Sequence, residues 1–297
     1  MIEDHTPSPG IRPWRIAGLG VFVLILTLFV GGVWSILLIA NLTTSPAIPW
    51  AVFVMGLLLW LLWQYLDGKG LPRSTSAARH RYLRAHFVSR PIFLWSMAAG
   101  LLSIIALTGL WIVLFQLVKV PGNAVPDLSK YPLLTVILAI LMASLSGAVI
   151  EEACFRGYFQ SALETKVGGL TAILVSALVI SPGHGLTQGF VWTTMLFYFF
   201  VDSTFGVLAY LCNSILPGII LHTIGLLIFF TWIWPFDASR RFVSEQGADL
   251  WFWIHVAQTL LFTALAILAF RQLATVSHLS KRVFENSPRR TQRDTKV

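Results

Sequence analysis

Long runs of apolar residues alternate with short polar breaks along almost the whole chain. Eight such runs are evident: 16–41, 48–66, 91–118, 131–161, 168–187, 189–212, 214–235 and 251–270. About 20 consecutive apolar residues cross a bilayer as a helix, so the pattern predicts an all-α, polytopic membrane bundle of about eight transmembrane helices. The first run is longer than the hydrophobic region of a cleavable signal peptide and is expected to stay as an anchor. The fifth and sixth runs are interrupted by Ser181-Pro182-Gly183-His184-Gly185, which is expected to disrupt the helix there. The residues divide into N-terminal membrane helices with a basic loop (1–130), a central core (131–235), and a final helix with a basic tail (236–297). No internal repeat is visible, and apart from the basic loop and two irregular connections the links are short.

Composition agrees with this pattern. Apolar residues make up 56% of the chain and charged residues 11%, against roughly a quarter charged in a soluble domain. Mean hydropathy is +0.76. With eight spans, most of the 21 basic residues fall on one side: Arg12 and Arg15, the loop from Lys69 to Arg90, Arg156 and Lys166, and the tail from Arg271. By the positive-inside rule that side, with both termini, is cytoplasmic. The pI near 9.9 then follows from topology and attraction to anionic lipid, and no nucleic acid is called for. The tail beyond Phe270 is poor in apolar residues and is expected to be disordered. Cys154 and Cys212 have neither metal-site spacing nor a disulfide pattern and read as small buried residues.

Against this background, charge inside a span is the informative signal. Glu151 and Glu152 follow the apolar stretch LLTVILAILMASLSGAVI directly, and Arg156 lies four residues after Glu152. Ionisable residues at membrane depth are costly and mark functional sites by default. In an α-helix, Glu152 and Arg156 share a face and form an ion pair. Glu151 points about 100° away, toward a wet cavity where a carboxylate can serve as general base. A purely structural reading has both acids and Arg156 locking helices together.

Two histidines join them. His184 follows the Pro182-Gly183 pair, and His222 lies between Gly218 and Gly225, whose small side permits close approach of another helix. At 1.5 Å per residue, Glu151, His184 and His222 lie roughly 18, 24 and 13 Å from the basic side. These depths let the three meet in one cavity. Asp202 is a further intramembrane acid, read as a partner for a histidine or as facing a wet crevice. His255, beside Trp251 and Trp253, reads as part of an interfacial aromatic belt.

The sequence EEACFR, then His184, then His222 at the end of GVLAYLCNSILPGIILH, resembles the CPBP family of CAAX-type prenyl endopeptidases and Abi membrane proteases. The family's motifs are EExxxR, FxxxH and HxxxN or HxxxD. Here Ile180 stands where the aromatic is usual and Leu226 where Asn or Asp is usual. The resemblance implies a hydrolase of the bacterial plasma membrane that cleaves a membrane-associated protein or peptide. Its catalytic residues would be Glu151, Glu152, His184 and His222, with Arg156 structural. It leaves metal open. Glu151, His184 and His222 are candidate ligands for zinc, in which case Glu152 would act as the base, and a metal-free glutamate mechanism fits equally well. Two rivals stand beside the protease: a non-cleaving scaffold or immunity protein that binds a peptide or partner, and a proton-relay transporter. Transporters often carry paired repeats, which are missing here.

Overall fold

The computed structural model describes residues 13–118, 128–235 and 241–285. All regular elements among them are helices. Helix α1 (Pro13–Thr44) and helix α2 (Trp50–Leu66) form the first hairpin. A turn of 3₁₀ helix and the short α3 (Ser76–Leu83) occupy the basic loop. Then come α4 (Arg90–Leu117), α5 (Leu133–Glu151), a π-helical segment (Glu152–Gln160) and α6 (Ser161–Val167). Helices α7 (Gly169–Gln188), α8 (Trp192–Cys212) and α9 (Leu216–Ile228) follow. A π-turn (Phe229–Ile233), the short α10 (Val243–Gln246) and α11 (Leu250–Glu285) complete the chain.

Among the described residues seven helices are long and apolar enough to cross a membrane, and Trp50–Leu66 is a shorter apolar helix. Its 17 residues rise about 25 Å, at the short end of what spans a bilayer. Large side chains such as Phe29, Phe53 and Leu260 are about two-thirds exposed. An apolar surface of this kind suits lipid rather than water, and the chain is an integral membrane protein.

Small residues set the helix contacts. A Cβ on Gly109 of α4 would come within 3.0 Å of the His255 carbonyl on α11. A Cβ on Gly100 would meet Leu221 of α9 at 2.2 Å. Asn41 acts as a clamp for the first hairpin: its amide donates to the Ser45 and Ile48 carbonyls and its oxygen accepts from the Ala51 N–H.

Two expectations change. The Ser181-Pro182-Gly183 sequence does not break the backbone, because α7 runs through it to Gln188. Ser181 Oγ bonds the Ala177 carbonyl at 2.6 Å, and the helix stops only at Gly189, whose φ is +89°. The segment after Phe270 is not disordered up to Glu285, because it continues α11. Leu273 is fully buried and Val276 packs beside it against α4, α8 and α9 residues, which holds these turns in place. The rest of the tail and the connection at Pro121–Asp127 lie outside the described residues.

Nor is the basic loop all solvated charge. The Arg79 guanidinium bonds the carbonyls of Tyr65, Lys69 and Gly70. Arg84 sits in the left-handed region at φ 52°. Its Nη1 pairs with Glu164 at 2.8 Å and its Nη2 bonds the Arg156 carbonyl at 2.5 Å.

Candidate active site

The centre of the site is a change in helix winding. From Glu152 to Gln160 the chain adopts i→i+5 geometry, a form that recurs at functional sites. The loop at 82–84 accounts for it locally. Gly157 has no side chain, so Leu83 backbone comes within 3.1–3.4 Å of where its Cβ would be. Arg84 takes the Arg156 carbonyl, and Ser161 Oγ bonds the Tyr82 carbonyl at 3.3 Å. Arg84 thus supplies an external donor to a carbonyl that an α-helix would pair internally.

The wider turn alters the expected ion pair. In π geometry residues five apart are stacked, and Arg156 Nη1 lies 3.6 Å from Glu152 Oε1. Its short contact is to α8: Nη2 bonds Asp202 Oδ1 at 2.7 Å and the Asp202 carbonyl at 3.3 Å. Asp202 is therefore a partner of the arginine. Ser181 Oγ lies 3.4 Å from its other oxygen. Arg156, Asp202 and Glu152 are all essentially buried.

Glu151 and Glu152 differ as the helix geometry requires. Glu152 is fully buried, with Oε1 3.0 Å from His222 Nδ1. Glu151 keeps some exposure, and its Oε2 lies 3.7 Å from His222 Nε2. That is beyond a direct hydrogen bond. Because a carboxylate only accepts, Nδ1 carries the proton in neutral His222 and Nε2 faces Glu151 as an acceptor. Phe205 stacks on the imidazole with centroids 4.6 Å apart.

His184 reaches the same cavity from α7. Its ring stacks on Tyr198 at 3.6 Å and 8°, and Gln188 Nε2 donates to the Tyr198 hydroxyl at 2.5 Å. The cavity measures about 240 Å³ and is lined by Glu151, His184, His222, Tyr198, Phe205 and Leu226, among others. Ile180 is buried in the core instead. Leu226 presents hydrocarbon to the cavity and packs by Gly147.

Sequence reasoning missed Tyr198, Gln188 and Phe205, and did not pair Asp202 with Arg156. The spacing Tyr198–Asp202–Phe205 puts the three on one face of α8, a signal available in the sequence. His255 is itself buried, with Nδ1 bonded to Gln258 and its ring edge-to-face with the exposed Trp251.

Among the described residues, ligand atoms of Glu151, His184 and Asp202 lie within 4.8 Å of one another. A catalytic zinc site takes three protein ligands with a position left open. Here Asp202 Oδ1 is committed to Arg156 and Oδ2 lies against Ser181. The arginine's charge opposes a second cation beside the same carboxylate. The set that includes Asp202 does not fit a resident zinc.

Gly218 is the contact on which the Glu152–His222 pair rests. A Cβ there would lie 2.6 Å from Glu152 Oε2, so Gly218→Ala must move the carboxylate or α9. The expected result is a loss of roughly 10²-fold in turnover, with KM moved far less. Steady-state kinetics in detergent check it, and unchanged kcat would mean that this pair has no part in positioning His222.

The comparisons with known proteins concern the same segment. The family model described as type II CAAX prenyl endopeptidase Rce1-like matches residues 133–228. No curated protein and no solved structure matches the chain. The segment that carries Glu151, Glu152, Arg156, His184 and His222 thus matches the Rce1-like type II CAAX prenyl endopeptidase family, in keeping with the relationship its motifs suggest.

Proposed function

We propose that this protein is an intramembrane endopeptidase that hydrolyses a peptide bond of a membrane-associated protein or peptide without a metal. The family match supports a CAAX-type protease in general terms. The observation that carries the finer reading is the geometry of Glu151 and His222. Two acceptors, Glu151 Oε2 and His222 Nε2, lie 3.7 Å apart at the wall of one cavity. Their spacing suits a single water that donates a hydrogen bond to each.

In this reading Glu151 takes a proton from that water as the oxygen attacks the scissile carbonyl. The hydroxide forms the new C–O bond, and the carbonyl π electrons move to oxygen. His184, on the same cavity, donates a hydrogen bond to the oxyanion, an interaction that typically contributes several kcal/mol to the transition state. Glu151 then returns its proton to the leaving amine as the C–N bond breaks. Glu152 and Phe205 hold the His222 ring in its tautomer and plane, while Tyr198 does the same for the plane of His184. Arg156 joins the π-segment to α8.

A second reading is a peptide-binding protein that does not cleave. Leu226 favours it, since it puts a methyl-bearing chain where the family pattern carries an amide or acid. A peptide library offered to the purified full chain in lipid vesicles separates the two. Cleavage products identified by mass spectrometry are expected, and binding without products would establish the scaffold. Activity is expected to survive metal chelation, with less than a twofold change after phenanthroline treatment. Loss restored by zinc would overturn the metal-free mechanism. With the basic loop on the cytoplasmic side, as its charge predicts, the site lies in the inner half of a bacterial plasma membrane.

A further inference from the structure

A second, larger cavity of about 680 Å³ lies between α4, the end of α9 and the start of α11. Ligand sites commonly measure about 300–1,000 Å³. The cavity shares Ile104, Thr108 and Ile233 with the Glu151 cavity, so the two chambers adjoin across those three side chains. Most of its walls come from α4 and α11, outside the segment 133–228 that matches the family. It occupies the half of the bundle away from the basic loop.

The two ends of this chamber differ in character. Ile104, Ile105, Ile112 and Ile228 make the deep walls hydrocarbon. The polar groups among them are already engaged. Thr108 Oγ1 donates to the Ile104 carbonyl at 2.9 Å, and Gln258 Nε2 to the Ile105 carbonyl at 2.8 Å. His255 Nδ1 is bonded to Gln258 Oε1, and Trp251 stands edge-on to its ring. The mouth instead carries Arg241 and Asp249, both exposed. Among the described residues these two form no ion pair with each other. Asp249 uses Oδ1 to cap α11, accepting the Phe252 N–H at 2.9 Å. Trp232 and Trp251 beside them are 67% and 57% exposed, as aromatic rings are at headgroup depth. From Gln116 to Ile104 the wall supplied by α4 rises about 18 Å, slightly more than half of a hydrocarbon core of about 30 Å. A cation and an anion thus stand over one leaflet's depth of apolar wall, the pattern that complements a zwitterionic phospholipid.

We propose that this chamber binds one phosphatidylethanolamine molecule from the leaflet opposite the basic loop. An acyl tail lies along α4, the phosphate meets Arg241 and the ammonium donates to Asp249. A free fatty acid matches Arg241 but sets its carboxylate against Asp249. A choline headgroup has no N–H to donate. A peptide at this depth needs acceptors along its backbone, and the deep walls offer none. The end of the tail lies against Ile104 and Thr108, so bound lipid backs the partition beside the Glu151 cavity. The proposal does not depend on peptide-bond hydrolysis.

The test strips the full chain of lipid in detergent and titrates it with phosphatidylethanolamine, phosphatidylcholine or phosphatidylglycerol, read by native mass spectrometry. One phosphatidylethanolamine is expected to be retained, with the other two about tenfold weaker, the order for one charge-assisted hydrogen bond. Arg241→Ala should weaken phosphatidylethanolamine by a similar factor. Asp249→Asn keeps a capping side chain on α11 and should erase the preference over phosphatidylglycerol. Ile105→Trp fills the deep end, leaves the mouth untouched and should abolish retention. Arg241 and Asp249 are exposed, so their variants test the site even where Ile105→Trp disturbs packing. Equal retention of the three lipids would overturn the proposal, as would phosphatidylethanolamine binding that neither Arg241→Ala nor Ile105→Trp weakens.

Discussion

Glu151→Gln is expected to reduce peptide cleavage by roughly 10³-fold or more, while the protein accumulates in the membrane and melts as before. The first half follows from chemistry. The amide has nearly the shape of the carboxylate but cannot take a proton from water, and general-base catalysis by a placed group typically contributes 10²–10⁴-fold. The second half follows from surroundings. Glu151 makes no direct hydrogen bond to His222, at 3.7 Å, and its side chain is 16% exposed, so the substitution strands no buried partner. Measurement of kcat/KM on a cleaved peptide, beside a thermal melt of the same preparation, checks both halves. Cleavage persisting in the variant would move the base elsewhere, with Glu152 the next acid to test.

Arg156→Leu should act on the other quantity. The guanidinium is 1% exposed and stands between Asp202 at 2.7 Å and Glu152 at 3.6 Å. Its removal leaves two carboxylates in the protein interior without a counter-charge. Breaking a buried pair from one side typically costs about 3–5 kcal/mol, and here two acids lose the same partner. The expected result is a large fall in melting temperature and in membrane accumulation. Arg156→Leu combined with Asp202→Asn should recover part of the loss, because one orphaned charge has gone. Equal stability of Arg156→Leu and the unsubstituted protein would show that water or lipid headgroups reach these acids.

The fold was legible because membrane helices declare themselves by length and hydropathy, which are local properties. The site was legible in part for a related reason: charge inside hydrocarbon is costly enough to stand out, so Glu151, Glu152, Arg156, His184 and His222 were visible one by one. Partnership was less visible. The Arg156–Glu152 pair holds at 3.6 Å, but the guanidinium's closer partner, Asp202 at 2.7 Å, lies on another helix and no spacing in the sequence points to it. The π winding depends on contacts from Leu83 and Arg84, more than seventy residues away along the chain. Tyr198 and Phe205 escaped notice because aromatics are ordinary in a membrane helix and only their neighbours give them a use. The proline in α7 misled for the opposite reason: it is a strong local signal that Ser181 and the tertiary packing outweigh.

The arginine-rich loop has a consequence beyond topology. Arg84 grips the Arg156 and Glu164 side of the π-segment through its guanidinium, while its own carbonyl receives the Ile215 N–H at the start of α9. Two residues on, the His86 carbonyl receives the Ser214 hydroxyl. One short strap at the bilayer surface is thereby tied both to the helix turn bearing Glu152 and to the helix bearing His222. A mechanical pull on that strap, from a headgroup or a docked protein, has a direct route to the spacing between the acid and the imidazole.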